Sequence, residues 1–222
     1  MKVDYIKQGD CLTLMRTIPD NSIDLLLTDI PYDMVNRESN GLRDLDKKDA
    51  DVLTFDLNIF VEECYRVAKT TIIFCGVNQV SDIYKRFADY QRKKKGTVRQ
   101  LIWKKTNPSP MNGEYIYLSG IENAIWFKKR GGTFNARCKN TVFEYPSGKR
   151  TYHPTQKNLK LFEELILDNT NEGGIVLDPC IGSGTTAIAS INTGRKYIGF
   201  DISQEYCEIA LKRVEECMNN DR

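Results

Sequence analysis

Ile175-Val176-Leu177-Asp178-Pro179-Cys180-Ile181-Gly182-Ser183-Gly184-Thr185-Thr186-Ala187 is an apolar run of strand length that ends in an acid and passes through a glycine-rich turn into a helical segment. Strand, turn and helix in that order make a nucleotide-binding geometry, because free amides and the helix dipole at the turn attract negative groups. Gly182 and Gly184 permit the tight turn and let a ligand approach the backbone. Gly182 to Ala187 also fits the fingerprint G-x-G-x-x-[GA], and Asp201 ends the next apolar run at about the distance expected of a ribose-binding acid. The fingerprint alone does not separate a nicotinamide cofactor from other adenosine cofactors.

Outward from this stretch, apolar runs alternate with segments of helical period, which predicts an α/β fold with a largely parallel sheet. Strands are expected at Ile23–Thr28, Thr71–Gly76, Ile175–Asp178 and Tyr197–Asp201, continuous enough in apolar character to be covered on both faces. Helices are expected over Leu57–Ala68, Val80–Phe87, Asn158–Leu167, Thr185–Ile191 and Glu205–Cys217. Thr97–Trp103 and Ile121–Lys128 read as paired strands around a loop in which Pro108, Pro110 and Gly113 exclude regular structure. Charged segments without apolar period cover 33–55 and 129–152. Loops of that length in a compact domain are usually functional or disordered.

At 222 residues the chain is sized for one domain, spanning 1–222. Its formal net charge of +2 is too small for a protein whose affinity rests on bulk charge, but the charge is segregated. Residues 1–63 hold 14 acids, whereas 91–105 carries Arg92, Lys93, Lys94, Lys95, Arg99, Lys104 and Lys105 and no acid. A second basic stretch, 128–157, has Glu144 as its single acid. Such runs mark either a polyanion contact or a solvated face. Seven cysteines, none in a C-x-x-C arrangement, signal neither a disulfide framework nor a zinc site, so no metal is expected. No apolar run approaches the ~18 residues of a membrane span, and a reducing cytoplasm is the expected location.

Thr28-Asp29-Ile30-Pro31-Tyr32 follows directly on an apolar strand and so sits at its carboxyl end, where α/β sheets place their ligands. The exocyclic amine of adenine or cytosine is a poor nucleophile because its lone pair is delocalised into the ring. An acceptor at Asp29 and the backbone carbonyl of Ile30 would each take an amino hydrogen and hold the nitrogen toward tetrahedral geometry. Tyr32 would stack on a base swung out of a helix. In the glycine-turn motif, a carboxylate at Asp178 would repel a pyrophosphate and pair with the ammonium of S-adenosylmethionine, which favours the methyl donor over a nicotinamide.

Taken together, these motifs resemble those of the amino-methylating DNA methyltransferases, in the permuted group whose catalytic D-P-P-Y precedes the cofactor motif D-P-F-x-G-S-G-T. The resemblance also takes in Gly9-Asp10-Cys11, Leu14 to Tyr32, His153-Pro154-Thr155-Gln156-Lys157, and Gly199-Phe200-Asp201 followed by Tyr206, Ala210 and Arg213. It implies a doubly wound, mostly parallel, seven-stranded Rossmann-like sheet with helices on both faces. It also implies methyl transfer from S-adenosyl-L-methionine to an amine in double-stranded DNA. Asp29, Ile30, Pro31 and Tyr32 then form the catalytic motif. Asp178, Cys180, Gly182, Ser183, Gly184, Thr185 and Thr186 form the cofactor turn, Asp201 with Ile202 takes the ribose, and Asp10 and Cys11 lie against the adenine. Asp29 also borders the cofactor, and His153, Thr155 and Lys157 close its methionine side.

The chain departs from the pattern at Ile30, where proline is usual, and at Cys180, where an aromatic is common. Members acting on adenine carry aspartate or asparagine in the first catalytic position and those acting on cytosine carry serine, so Asp29 points to N6 of adenine. N4 of cytosine, and a DNA-binding protein without turnover motivated by Ile30, are the alternatives. Loops 33–55, 104–120 and 129–152 are the segments available to contact DNA, with target choice made by them or shared across a homodimer. These residues do not specify a restriction partner.

Overall fold

The structure, a computed structural model, describes residues 1–32, 53–110, 113–147 and 157–220. Among the described residues, eight strands form a single sheet. They are β1 (Tyr5–Gln8), β2 (Ile23–Asp29), β3 (Ala68–Cys75), β4 (Gly96–Lys105), β5 (Ile121–Lys129), β6 (Val142–Tyr145), β7 (Ile175–Asp178) and β8 (Lys196–Asp201). Their order is β1-β8-β7-β2-β3-β5-β4-β6. Every neighbouring pair is parallel except the two made by β5, which runs antiparallel to β3 and β4. The fold is thus doubly wound and mostly parallel as expected, with β6 as an eighth strand added at one edge beyond the seven implied.

Six helices among the described residues cover the sheet: α1 (Cys11–Met15), α2 (Leu57–Val67), α3 (Val80–Arg92), α4 (Leu159–Asn169), α5 (Thr185–Asn192) and α6 (Gln204–Asn220). Side chains alternate across a strand, so Leu26, Ile73 and Ile125 pack on one face with Met15, Phe60, Cys64 and Phe87 of α1 to α3. Leu25, Leu27, Ile72 and Phe74 point the other way onto Leu161, Phe162 and Ile166 of α4. A smaller cluster joins Ile188 of α5, Val214 of α6 and Tyr197 of β8. Sequence reading found the central strands because both of their faces are buried. Local side-chain caps fix several of the helix starts. The Asp56 carboxylate accepts from the Asn58 and Ile59 amides, and the Asn158 side chain accepts from Leu161 N.

Two features of this topology position a site. The chain winds one way from β7 through β8 and the opposite way from β2 to β3, so the switch point lies between the adjacent β2 and β7, at their carboxyl ends. Because β5 is antiparallel, its first residues, beginning at Ile121, lie at that same end. Gly96 and Lys129 are paired at the opposite, amino end.

Candidate active site at the carboxyl ends of β2 and β7

Asp29 is the last residue of β2, and Asp178 is the last of β7. Asp178 is 3 % exposed, and its oxygens are held by protein donors. Thr28 Oγ1 donates to Oδ1 at 2.7 Å, Cys180 N to Oδ1 at 3.1 Å, and Thr186 Oγ1 to Oδ2 at 2.5 Å. Burial pushes its pKa up to about 7 in spite of the Thr186 and Thr28 hydroxyls and the Cys180 amide. The expectation that Asp178 faces a ligand ammonium is therefore corrected: its carboxylate turns inward and ties the glycine turn to β2.

The turn itself has the conformation its glycines allow. Gly184, at φ +84°, is the N-cap of α5, and among the described residues no side chain caps that helix. Its first-turn N–H groups are thus left to a ligand or water. Gly182, at φ +50°, has open space where a Cβ would stand. Gly182 N donates to Asp201 Oδ2 at 2.9 Å and Ser203 N to Oδ1 at 2.9 Å, which fixes Asp201 at the end of β8. Arg213 of α6 donates to the Ser183 carbonyl and, at 3.1 Å, to Ser183 Oγ. Thr185 and Thr186 are buried in the first turn of α5.

An open cleft lies beside the turn. Gly9, Asp10, Cys11, Cys180, Asp201 and Ile202 line it, joined by Pro31 from the second motif and by Thr54 and Phe55, which sequence reading did not single out. Asp10 also caps α1 through Thr13 N at 2.8 Å. The open space at Gly182, the uncapped helix start and a carboxylate at the cleft wall fit an adenosine cofactor that carries its own carboxylate.

On the other side of β2 lies a compact charge cluster. Lys157 Nζ is 3.0 Å from Asp29 Oδ2, donates to Tyr32 Oη at 2.9 Å, and pairs with Glu122 Oε2. Lys105 Nζ holds the other Glu122 oxygen at 2.8 Å. An ammonium has three donors and these are three acceptors, so Lys157 is saturated by the protein. Lys157, expected on the cofactor's methionine side, stands against Asp29 and Tyr32 of the second motif. His153 and Thr155 lie outside the described residues.

Asp29 Oδ1 is buried and, among the described residues, has no hydrogen-bond partner. Burial raises the Asp29 pKa to about 6, opposed by Lys157 and assisted by Glu122. Burial also works against ionisation of Glu122, yet the Lys157 and Lys105 ammonium groups hold it at about 2. Burial disfavours the Lys157 charge as well, and the Asp29 and Glu122 carboxylates outweigh it, raising its pKa. The Tyr32 hydroxyl is pushed up by burial and by both carboxylates.

Gln79 secures the turn of the motif, donating from Nε2 to the Pro31 carbonyl at 3.0 Å while its Oε1 accepts from Gly76 N. Ile30, 1 % exposed, donates its N–H to the Phe74 carbonyl at 3.2 Å, which extends the β2–β3 ladder by a bond that proline cannot make.

Glu122 and Lys105 are the residues that sequence reading missed as site members. The one signal for Glu122 was a lone acid inside the apolar run at 121–127. The basic stretch 91–105 does not form one surface: Lys93, Lys94 and Lys95 are exposed beyond the amino end of the sheet, and Lys105 is consumed by Glu122 at the carboxyl end.

The family model for the N6/N4 DNA methylases matches residues 23–212. Type II methyltransferase M.HpaI of Haemophilus parainfluenzae is 32 % identical, over 95 % of this chain and 74 % of its own length. The DNA adenine methyltransferase YhdJ of Escherichia coli is 29 % identical, over 95 % of this chain and 82 % of its own. The crystal structure of the M1.HpyAVI–SAM complex is similar with a TM-score of 0.70 at 28 % identity, covering 95 % of this chain and 98 % of that one. With a glycine turn and an aspartate motif meeting at one switch point, and a family match over most of its length, the chain belongs to the N6/N4 DNA methylases.

Proposed function

We propose that the chain transfers the methyl group of S-adenosyl-L-methionine to the N6 amine of adenine in double-stranded DNA. The observation that carries this reading is the buried, unpartnered Oδ1 of Asp29 beside the glycine turn. An acceptor in that state costs free energy until a donor reaches it, and the exocyclic amine of adenine is such a donor. Accepting one amino hydrogen there and a second at the Ile30 carbonyl draws the nitrogen lone pair out of the ring. The aspartate in this position, and similarity to an enzyme described as a DNA adenine methyltransferase, support adenine over cytosine.

When bound, S-adenosylmethionine supplies an electrophilic sulfonium methyl. Asp201 suits the ribose hydroxyls, Asp10 and Cys11 an adenine wall, and the uncapped start of α5 a carboxylate. DNA contact is assigned to loops 33–55, 104–120 and 129–152, of which the described start of the second leaves β4 at the carboxyl end of the sheet. Tyr115 and Tyr117, 84 % and 102 % exposed on the second of these, offer rings to an unpaired base.

The test is incubation with unmethylated bacterial DNA and S-adenosylmethionine, digestion to nucleosides, and mass spectrometry. N6-methyladenine is the expected product. N4-methylcytosine would keep the methyl transfer and overturn the base assignment, and absence of both would overturn the reading. Asp29→Ala is expected to cut transfer by about 100-fold or more while cofactor affinity, measured by calorimetry, stays within about twofold.

A further inference from the structure

We infer that Lys157 and Glu122 are a positioning pair for Asp29: Lys157 anchors one carboxylate oxygen so that the other is presented to the substrate amine, and Glu122 holds Lys157 in place. The inference rests on the proposed role of Asp29 and deepens it.

The geometry is specific. Asp29 ends β2, Glu122 lies near the start of the antiparallel β5, Lys105 ends β4, and Lys157 precedes α4, so four separate chain segments converge on one point. Lys157 spends its three donors on Asp29 Oδ2, Tyr32 Oη and Glu122 Oε2. Its ammonium is enclosed by the rings of Tyr32, Phe74 and Trp103 at 5.1, 5.5 and 5.9 Å. It is 7 % exposed, so it has no route to solvent phosphate. Lys105, which holds Glu122 Oε1, stands over the Trp103 ring at 5.6 Å. Two cations and two carboxylates thus balance within the cluster, and Asp29 Oδ1 is the acceptor left over.

A buried ion pair adds little net stability compared with apolar packing, so four charges gathered beside a reacting carboxylate are better accounted for by orientation and ionisation than by stability. The groups facing Asp29 are Lys157, Glu122 from β5, Tyr32 from its own turn, Cys75 from β3 and Asp178 from β7, with Lys105 of β4 behind Glu122. Of these, Lys157 is the cation in contact. Its removal leaves the part-buried Asp29, with its enclosed Oδ1, without a cation in contact, so the carboxyl takes up a proton at higher pH. Removal of the Glu122 charge acts in the opposite sense, because it takes away a repelling carboxylate and leaves Lys157 to Asp29.

The test is kcat against pH for the wild type, Lys157→Met, Glu122→Gln and the double variant, with S-adenosylmethionine affinity measured by calorimetry. The acid limb is expected to move up by about one to three pH units in Lys157→Met. Turnover lost at pH 7 should then partly return by pH 9, and cofactor affinity should stay within twofold. In Glu122→Gln the limb is expected to move down, and in the double variant to fall between the two.

Carbon-13 NMR titration of the Asp29 carboxyl reads the same opposite shifts without turnover. It also applies to Glu122→Gln and the charge-balanced double variant if Lys157→Met does not fold. Limbs and titrations that stay put in every variant while turnover falls equally at all pH values would reduce the pair to packing. Loss of cofactor affinity in Lys157→Met would return Lys157 to the cofactor. Both results differ from failure of the Asp29 reading, in which the wild type itself makes no methylated base.

Discussion

Gly182 and Gly184 stand two residues apart in the same turn, yet alanine in each place should produce different defects. Gly184 has φ +84°, and a Cβ there would lie 2.9 Å from Ala210 Cβ and 3.1 Å from Ala210 Cα, where α5 meets α6. Left-handed backbone costs an L-residue about 1–2 kcal/mol. Overpacking against the neighbouring helix adds about 1–3 kcal/mol. Gly184→Ala should therefore destabilise the fold by about 2–5 kcal/mol, which at about 2–4 °C per kcal/mol lowers Tm by about 4–20 °C.

Gly182, at φ +50°, has nothing within 4 Å of its would-be Cβ, so only the backbone cost of about 1–2 kcal/mol applies and Tm should fall by about 2–8 °C. Its methyl group, however, enters the space assigned to the cofactor. Thermal unfolding by circular dichroism, with and without saturating S-adenosylmethionine, separates the two effects, because ligand raises stability by RT ln(1 + [L]/Kd). Gly184→Ala should start lowest and keep most of the ligand-induced rise, whereas Gly182→Ala should start closer to the wild type and lose it. Equal losses of Tm would refute the close approach of α5 to α6. A wild-type ligand shift in Gly182→Ala would refute the position given to the cofactor.

The pKa of Asp178 is raised to about 7, against about 3.9 in an unfolded chain, so the stability its neutral form contributes is complete below about pH 4 and is lost as pH rises through 7. Asp178→Asn, whose amide can accept from Thr28 and Cys180 and donate to Thr186, should unfold at higher urea than the wild type at pH 8 and gain much less at pH 5. An equal gain at both would remove the titration from the account. Replacing Lys93, Lys94 and Lys95 with Ala should leave the salt dependence of DNA binding unchanged, since they lie at the amino end of the sheet. A slope flattened by about 0.9 per lysine would put DNA there instead. Ile30→Pro removes the donor to the Phe74 carbonyl and should cost about 1–3 kcal/mol in urea denaturation, with a stabilised variant counting against that bond.

What the sequence disclosed followed how local each signal was. Ile23–Asp29, Ala68–Cys75 and Lys196–Asp201 are covered on both faces and leave unbroken apolar runs. The edge strands β1 and β6, YIKQ and VFEY, are four residues long and half solvated, so they leave no run to find. The two aspartate motifs were legible because each is a contiguous strand end. The Asp29–Lys157–Glu122–Lys105 cluster was not, because it exists only once β5 runs antiparallel and brings its first residues to the carboxyl end. The same register divides the basic stretch 91–105: ten residues of β4 carry the chain from one end of the sheet to the other, and composition alone has no way to record that.

Methyl transfer requires reacting atoms held at about 3–3.5 Å, a tolerance finer than side-chain rotamers alone provide. In this chain the two halves of the site come from segments some 150 residues apart, and the sheet sets their relative height. Leu25 pairs with Val176 and Leu26 with Leu177, so a slip of one residue between β2 and β7 would turn Asp29 to the opposite face. Thr28, immediately before Asp29, then reaches across with its hydroxyl to Asp178, whose other contacts are the Cys180 amide and Thr186 at the start of α5. The glycine turn and the aspartate motif are therefore not two sites that happen to adjoin. A single buried carboxylate ties the two together, and any displacement of the turn is felt one residue from the group proposed to meet the amine.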